Sequence, residues 1–371
     1  MIPASLSVGR TLRRRLTPLI TRAAAVPGAD RYRKPFSSGS HLWLLVLYGL
    51  QVSPSLRRLH AAVTVDGRLC RRIGLAQGIS LSQLARSATS RPSACLEQLV
   101  RDAMTLAHDQ GRRDRRWRIL RRVLILDSTF LPLSAARSPW SRVGGHVPGV
   151  RLQTGYDLAR RIPAHLWLTD VTINDHTARD RLDLAPYRGW TLVVDLGYYG
   201  HRAFARLQDA GVGFVCRLRH QAHYLVTASR PVSGTPTRDG DRLLADETIT
   251  LGSANNRRGA VLPDRRLITS VHARGDTHHF VTDRFDLTAV EIVRLYRKRW
   301  QIELFFRFLK YQLHLLVPIG HSPQAVWATI LLAALVSILL LLTGVDPTTA
   351  PSRIAWLTGL SMSLLISLRG G

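Results

Sequence analysis

Leu295 to Lys310 reads LYRKRWQIELFFRFLK, and this stretch decides the fold. Just upstream, Thr288-Ala-Val-Glu291 has the spacing of a capping box, so a helix is predicted to start at about Ala289. The phrase EIVRLYRKRWQIELFFRFLKYQLHL then carries no proline or glycine, and one continuous helix is predicted through it. At about 100° per residue, with Tyr296 at 0°, Arg299, Glu303, Arg307 and Lys310 all fall within a sector of about 80°. Phe305, Phe308 and Leu309 point the other way. Such a stripe of mixed charge can be a plain solvated face. This one also holds a tyrosine and one of only three lysines in the chain.

Working outward, two short apolar runs each end in an aspartate. Val123-Leu-Ile-Leu126 ends at Asp127, and Thr191-Leu-Val-Val194 ends at Asp195. Continuous apolar runs of this length read as strands buried on both faces. In an open α/β sheet, ligands gather at the carboxyl ends of strands, so the two aspartates meet if their strands are neighbours. Either aspartate alone more simply starts a turn. Leu152 to Val171 reads as a strand pair around Ala159 to Arg161. A short helix around Ala203 to Leu207 and a strand from Gly213 to Leu218 follow. Strands alternating with helices predict an α/β fold. Residues 219–280 are polar and turn-rich, with β-like runs such as Leu267 to Val271 and His279 to Thr282, and read as a β-strand insertion.

The first 115 residues read as helical. Ser80 or Ser82 is placed to cap a short helix, and Pro92 to open a second at its first turn, the outline of a helix-turn-helix. Any capped helical hairpin would look the same. Arg112 to Arg122 (RRDRRWRILRR) is a dense basic run that is either a solvated face or a phosphate-backbone contact. The arginine-rich first 29 residues resemble a transit peptide but read better as an ordinary basic helix. Val326 to Leu342 is an uncharged run at the lower length limit for a membrane span, and a buried core helix reads the same way.

The chain of 371 residues has 52 Lys plus Arg against 25 Asp plus Glu, a formal charge of +27. With 46% hydrophobic residues it is globular rather than disordered, and the charge makes a polyanion the expected partner, nucleic acid before membrane. Lysine occurs only at Lys34, Lys298 and Lys310, so 49 of the 52 are arginine, which reflects base composition, phosphate binding or both. Cys70, Cys95 and Cys216 form no CxxC pair, which speaks against a zinc ribbon or a disulfide framework and fits a reducing compartment.

The spacing Tyr296-x2-Arg299-x3-Glu303-x6-Lys310 resembles the tyrosine–arginine–glutamate–lysine signature of DDE transposases from bacterial insertion sequences. LILDST around Asp127 and VVDLGYYG around Asp195 resemble the two aspartate strands of that family. HHFVTDRFDLTAVEIV resembles the approach to its glutamate helix. Residues from about Ala29 to Val100 resemble the leader domain of the insertion-sequence-four type. The resemblance implies an RNase H-like catalytic core interrupted by a β-strand insertion and preceded by a helical N-terminal DNA-binding domain. The expected bounds are 1–115, 116–218, 219–280 and 281–371, the last holding the catalytic helix and the C-terminal helices. The 107 residues between Asp195 and Glu303 leave room for the insertion.

By the same resemblance, Asp127, Asp195 and Glu303 are the catalytic carboxylates and the ligands of two Mg²⁺ ions, with Mn²⁺ as a substitute. Two hard cations serve both the attacking and the leaving oxygen of phosphodiester cleavage, and carboxylates are their natural ligands. Tyr296, Arg299, Arg307 and Lys310 are the implied DNA-binding residues. The expected partners are double-stranded DNA, as transposon ends and target, and a second copy of the chain in a synaptic homodimer. No membrane is expected, Val326 to Leu342 becoming a core helix, and the expected location is the bacterial cytoplasm, at the nucleoid. Two departures stand out: Leu196 replaces the arginine common after the second aspartate, and no tryptophan lies between Trp190 and Trp300 to receive a flipped base, leaving Tyr224 or Phe280. A related nuclease without strand transfer and a non-catalytic DNA-binding derivative are the alternatives, the intact carboxylates arguing against the second.

Overall fold

The computed structural model describes residues 6–30, 36–51, 55–110, 122–232, 240–253, 260–272, 274–344 and 353–369. The chain is mixed α/β and divides into two compact units. One comprises residues 112–131 and 143–303, the other residues 1–111, 132–142 and 304–371. Lys34 and all of the basic run Arg112 to Arg122 except Arg122 lie outside the described residues.

The first unit is built on a nine-stranded sheet of order β3-β2-β1-β4-β5-β9-β8-β7-β6. Its strands are β1 (Val123–Pro132), β2 (Gly149–Asp157), β3 (Ile162–Thr169), β4 (Thr191–Val194), β5 (Gly213–Arg217), β6 (Tyr224–Arg230), β7 (Arg242–Leu251), β8 (Leu262–Val271) and β9 (Thr277–Thr282). The apolar runs behave as their composition requires. Val123 to Leu126 is buried throughout and pairs in parallel with β4, Leu126 opposite Val194. β4 pairs in parallel with β5, and the crossover between them is an α-helix, His201–Asp209. Its buried face presents Phe204, stacked on Phe214 of β5 at 4.1 Å between ring centroids. Burial of each such side chain contributes about 1.5–3 kcal/mol.

Strands β6 to β9 come from the turn-rich segment. They extend the sheet, because β9 pairs antiparallel with β5 through Val215–Thr282, Cys216–Val281 and Arg217–Phe280. Ile249, Leu251, Leu267 and Val281 share one apolar cluster with Leu124, Val194 and Phe214. Two helices close this part of the chain: α9 (Ala289–Arg297) and α10 (Trp300–Tyr311), of which residues up to Glu303 fall in this unit.

The second unit is helical. It holds α1 (Leu6–Ala24), α2 (Ser38–Gly49), α3 (Leu56–Thr64), α4 (Gly67–Arg72), α5 (Leu81–Ser90), α6 (Ala94–Gln110), α11 (Pro323–Leu342) and α12 (Arg353–Arg369). Ser80 caps α5 through the Gln83 amide, while Pro92 stands two residues before α6 instead of in its first turn. The helical reading of the N-terminal segment holds for α1, whose Arg13 and Arg15 donate to the carbonyls of Ser367 and Leu342. α1 packs closely on α12, and a Cβ at Gly9 would overlap the Ser363 carbonyl. The long apolar run is α11, packed against α2, α5 and α6, with 83% of its most apolar window buried by protein. Glu97 of α6 accepts from the Trp327 indole of α11 at 2.8 Å.

Candidate active site

The sheet brings the two predicted aspartates side by side. β1 and β4 are parallel neighbours in register, so Asp127 and Asp195 follow the paired residues Leu126 and Val194. Asp195 then leads into a short 3₁₀ turn, Leu196–Tyr198, its carbonyl accepting from the Tyr198 amide and its carboxylate left free of any capping bond to the turn. Glu303 comes from the first turn of α10.

The helix expected to run unbroken from about Ala289 is divided. The capping box forms, with the Thr288 and Glu291 side chains each serving the other's backbone amide. α9 ends at Arg297, and the chain tightens before α10 begins at Trp300. The Arg299, Gln301 and Ile302 amides donate to the carbonyls three residues back, Tyr296, Lys298 and Arg299. In such a 3₁₀ step, side chains at i and i+3 eclipse, so Tyr296 and Arg299 line up on one side. Contacts distant in sequence repay the lost α-helical geometry. The Tyr296 hydroxyl donates to Asp195 Oδ1 at 2.9 Å. Arg299 reaches Asp127 Oδ2 at 3.3 Å and Glu303 Oε1 at 2.7 Å. Arg299 thus lies between two carboxylates, and its expected role toward DNA phosphate begins from that position. Its side chain is 14% exposed, against 19% for Asp127 and 32% for Glu303.

The electrostatics follow from this geometry. Burial, joined by the charges of Asp195 and Glu303, pushes the Asp127 carboxyl up to about 6, against the Ser128 amide and the Arg299 charge. Burial opposes the Arg299 charge, but Asp195, Tyr296 and Asp127 outweigh it and hold the guanidinium above its ordinary value. Burial and the neighbouring Asp195 charge push the Tyr296 phenol up, so it stays a donor. Burial likewise keeps the Cys216 thiol, close to the Asp195 carbonyl, neutral.

Arg307 and Lys310 continue along α10, Arg307 exposed and Lys310 half-buried with its pKa lowered by burial. Both fall in the helical unit. Phe305, Phe308 and Leu309 are fully buried, as their angular positions require. Phe280 is 2% exposed and packs on Tyr296 at 4.9 Å, so it is not free to receive a base, whereas Tyr224 is 41% exposed.

Sequence reasoning missed several supports of the site. The Ser128 amide donates to Asp127 Oδ1 at 2.8 Å, and its Oγ donates to Asp175 Oδ1 at 2.9 Å. Beside Tyr296 and Arg299 lies a cavity of about 180 Å³ lined also by Arg217, His272, His278 and Trp300. Nothing in the sequence signalled it, because its walls come from β5, β8, β9 and the α9–α10 join.

The donor chemistry fits hard divalent cations: three carboxylates, of which the buried Asp127 feels the charge of the other two. Among the described residues, no three His, Cys, Asp or Glu side chains stand close enough to hold an ion together. Arg299 and Tyr296 engage all three carboxylates instead.

The family model described as transposase DDE domain matches residues 118–339. "Putative transposase y4zB" of Sinorhizobium fredii (strain NBRC 101917 / NGR234) is 31% identical over 218 residues, 58% of this chain and 60% of that protein. "Probable transposase for insertion sequence element IS5377" of Geobacillus stearothermophilus is 25% identical over 264 residues, 70% of this chain and 66% of that protein. The chain therefore spans just under two thirds of the length of these relatives. A solved piggyBac transposase synaptic complex with hairpin DNA aligns over 98% of this chain and 81% of that one, at 12% identity and a TM-score of 0.41.

Proposed function

Because the chain belongs to the transposase DDE-domain family, we propose that it cleaves DNA at the ends of an insertion sequence and joins the freed 3′ ends to target DNA. One observation carries the reading: Asp127, Asp195 and Glu303, from two parallel strands and a helix, are gathered by Arg299 and Tyr296 at one end of the sheet. We assign these three as the catalytic carboxylates. The strand order β3-β2-β1-β4-β5 supports an RNase H-like core, with β6 to β9 as its β-strand insertion and the N-terminal helices as a DNA-binding domain. The Tyr296, Arg299, Glu303 and Lys310 spacing supports the insertion-sequence-four type.

Asp127, Asp195 and Glu303 would hold two Mg²⁺ ions. When bound, such ions lower the pKa of water and stabilise the charge of the leaving oxygen. The protein's own groups set the stage. Asp127, pushed up to about 6, is mostly ionised at neutral pH and so available to a cation. Tyr296 orients Asp195 through its hydroxyl. Arg299 neutralises the pair Asp127 and Glu303, and a DNA phosphate of the same charge can take that guanidinium over. Exposed Arg307 and half-buried Lys310 supply further phosphate contacts along α10. The reading includes double-stranded DNA as substrate, a homodimer pairing two ends, and action in the bacterial cytoplasm.

The test is nicking and strand transfer on duplexes carrying the inverted repeats that flank the gene, with Mg²⁺ or Mn²⁺. Glu303→Gln and Asp195→Asn should abolish both while preserving DNA binding. Metal-dependent nicking that survives in Glu303→Gln refutes the assignment. Nicking of any duplex without joining turns the reading into a nuclease.

A further inference from the structure

The structure assigns a second phosphate-binding surface, in the unit that does not carry the three carboxylates: an arginine cleft between α4 and the end of α12. It rests on the DNA-processing reading above and names where that DNA is also gripped. Arg68, Arg71, Arg72 and Arg369 line an open cleft of about 450 Å³, with Leu368 the other lining residue. Arg68, Arg71 and Arg72 stand at i, i+3 and i+4 on one short helix, so their side chains share a face.

The charge pattern separates this cluster from arginines that serve the fold. Arg160, Arg179, Arg266, Arg284 and Arg297 each pair with an aspartate, and so does Arg369, with Asp66 at 2.5 Å. Arg68, Arg71 and Arg72 are exposed and make no ion pair among the described residues. Asp66, beside the cluster, is already engaged twice, capping α4 through the Leu69 amide and holding Arg369. It therefore does not cancel the other three charges. Like charges at i and i+4 destabilise a helix, so Arg68 and Arg72 act against local stability. Arg71 and Arg72 in the last turn suit the helix dipole, but Arg68 in the first turn opposes it. A row of unpaired guanidiniums in an open cleft is the arrangement that grips successive phosphates of a polyanion.

Double-stranded DNA fits better than an anionic membrane. Membrane-surface helices set large apolar side chains among their basic residues, whereas this cleft is lined by four arginines and the buried Leu368, and the exposed Val65, Met362 and Ile366 stand outside its lining. Contacts of this kind go to the backbone, so the cleft contributes affinity without reading sequence.

The experiment is the salt dependence of DNA binding, read by fluorescence anisotropy on the full chain without metal. The probes are a labelled 30-bp duplex of arbitrary sequence and a duplex of the flanking repeat. Each phosphate contact contributes about 0.9 to the slope of log K against log salt, so Arg68→Ala/Arg71→Ala/Arg72→Ala should flatten it by up to about 2.7 on both probes. The matching triple lysine variant should keep most of the slope. A comparison triple of scattered exposed arginines, Arg181→Ala/Arg188→Ala/Arg202→Ala, should leave it nearly unchanged. Thermal unfolding should show the cleft variant at least as stable as the parent. An unaltered slope overturns the assignment, and so does equal flattening in the comparison triple. Loss of binding to phosphatidylserine vesicles, with DNA binding intact, would assign the cleft to membranes and overturn it as well. None of these readouts needs cleavage, so failure of the catalytic reading would show separately, in the Glu303→Gln nicking assay.

Discussion

Replacing Asp127 by asparagine should make this protein more stable at neutral and alkaline pH, although it removes a residue assigned to catalysis. The carboxyl is pushed from 3.8 up to about 6, first by burial and then by Asp195 and Glu303. Its folded pKa is thus raised above its unfolded value. Below about pH 4 it is protonated in both states and resembles asparagine. As pH climbs through about 6, the unfolded chain gives up the proton first and the native state loses stability. At about 1.36 kcal/mol per unit, the loss is on the order of 3 kcal/mol. Arg299 keeps its shorter bond to Glu303 in the variant, so the guanidinium is not stranded. The stability difference, Asp127→Asn minus parent, should therefore rise by up to about 3 kcal/mol between pH 4 and pH 8. In thermal melts that is a shift of several degrees, using about 2–4 °C per kcal/mol for units of this size. Taking the difference at each pH cancels the titration of the other acids. A difference that stays flat across the window, or falls with pH, refutes the account of Asp127 as a buried carboxylate in a crowd of like charges.

Arg299→Gln removes the cation between Asp127 and Glu303. It should raise the Asp127 pKa further, by about 1–3 units on NMR titration of its side-chain carboxyl, and an unmoved pKa counts against the pairing. The same variant, assayed above that pKa by electron paramagnetic resonance of free Mn²⁺, should bind Mn²⁺ more tightly; equal or weaker binding would show that Arg299 does not compete for the carboxylates. Tyr296→Phe loses a hydrogen bond to a charged acceptor and should cost about 1.5–3 kcal/mol in urea unfolding, a value near zero being incompatible with the 2.9 Å contact. Gly9→Ala sets a methyl against the Ser363 carbonyl and should cost about 1–3 kcal/mol, which a melt unchanged from the parent would contradict.

The parts of this fold that the sequence disclosed are those fixed locally. Val123 to Leu126 and Leu192 to Val194 read as strands because a strand buried on both faces needs apolar side chains at every position, and these have them. Thr288 and Glu291 mark a helix start because the two orphan amides they satisfy lie within one turn. The break at Lys298 and Arg299 carries no such mark. No proline or glycine interrupts the pattern, and local propensity favours one long helix. The partners that stabilise the tight turn are 101 residues away for Tyr296 and 172 for Arg299 toward Asp127. The same holds for β9, whose pairing with β5 joins the turn-rich segment to the main sheet. α11 is apolar on all sides, so its periodicity could not separate a membrane span from a core helix, and α2, α5 and α6 packing around it does.

The tight turn also explains how three acids persist in one half-buried place within a chain of +27. Net charge alone is no help to them, since arginines such as Arg160, Arg179, Arg266, Arg284 and Arg297 are committed to other aspartates. What matters is one guanidinium bonded to two of the carboxylates and one phenol donating to the third. Both groups come from the same 3₁₀ step, so straightening it into α-helix would rotate Arg299 away from the eclipsed position that lines it up with Tyr296. The charge balance of the site and the local helix geometry are therefore one property. A phosphate that draws Arg299 away removes the counter-charge from Asp127 and Glu303 at the moment those carboxylates are needed for a cation, which ties substrate binding to cation binding through a single side chain.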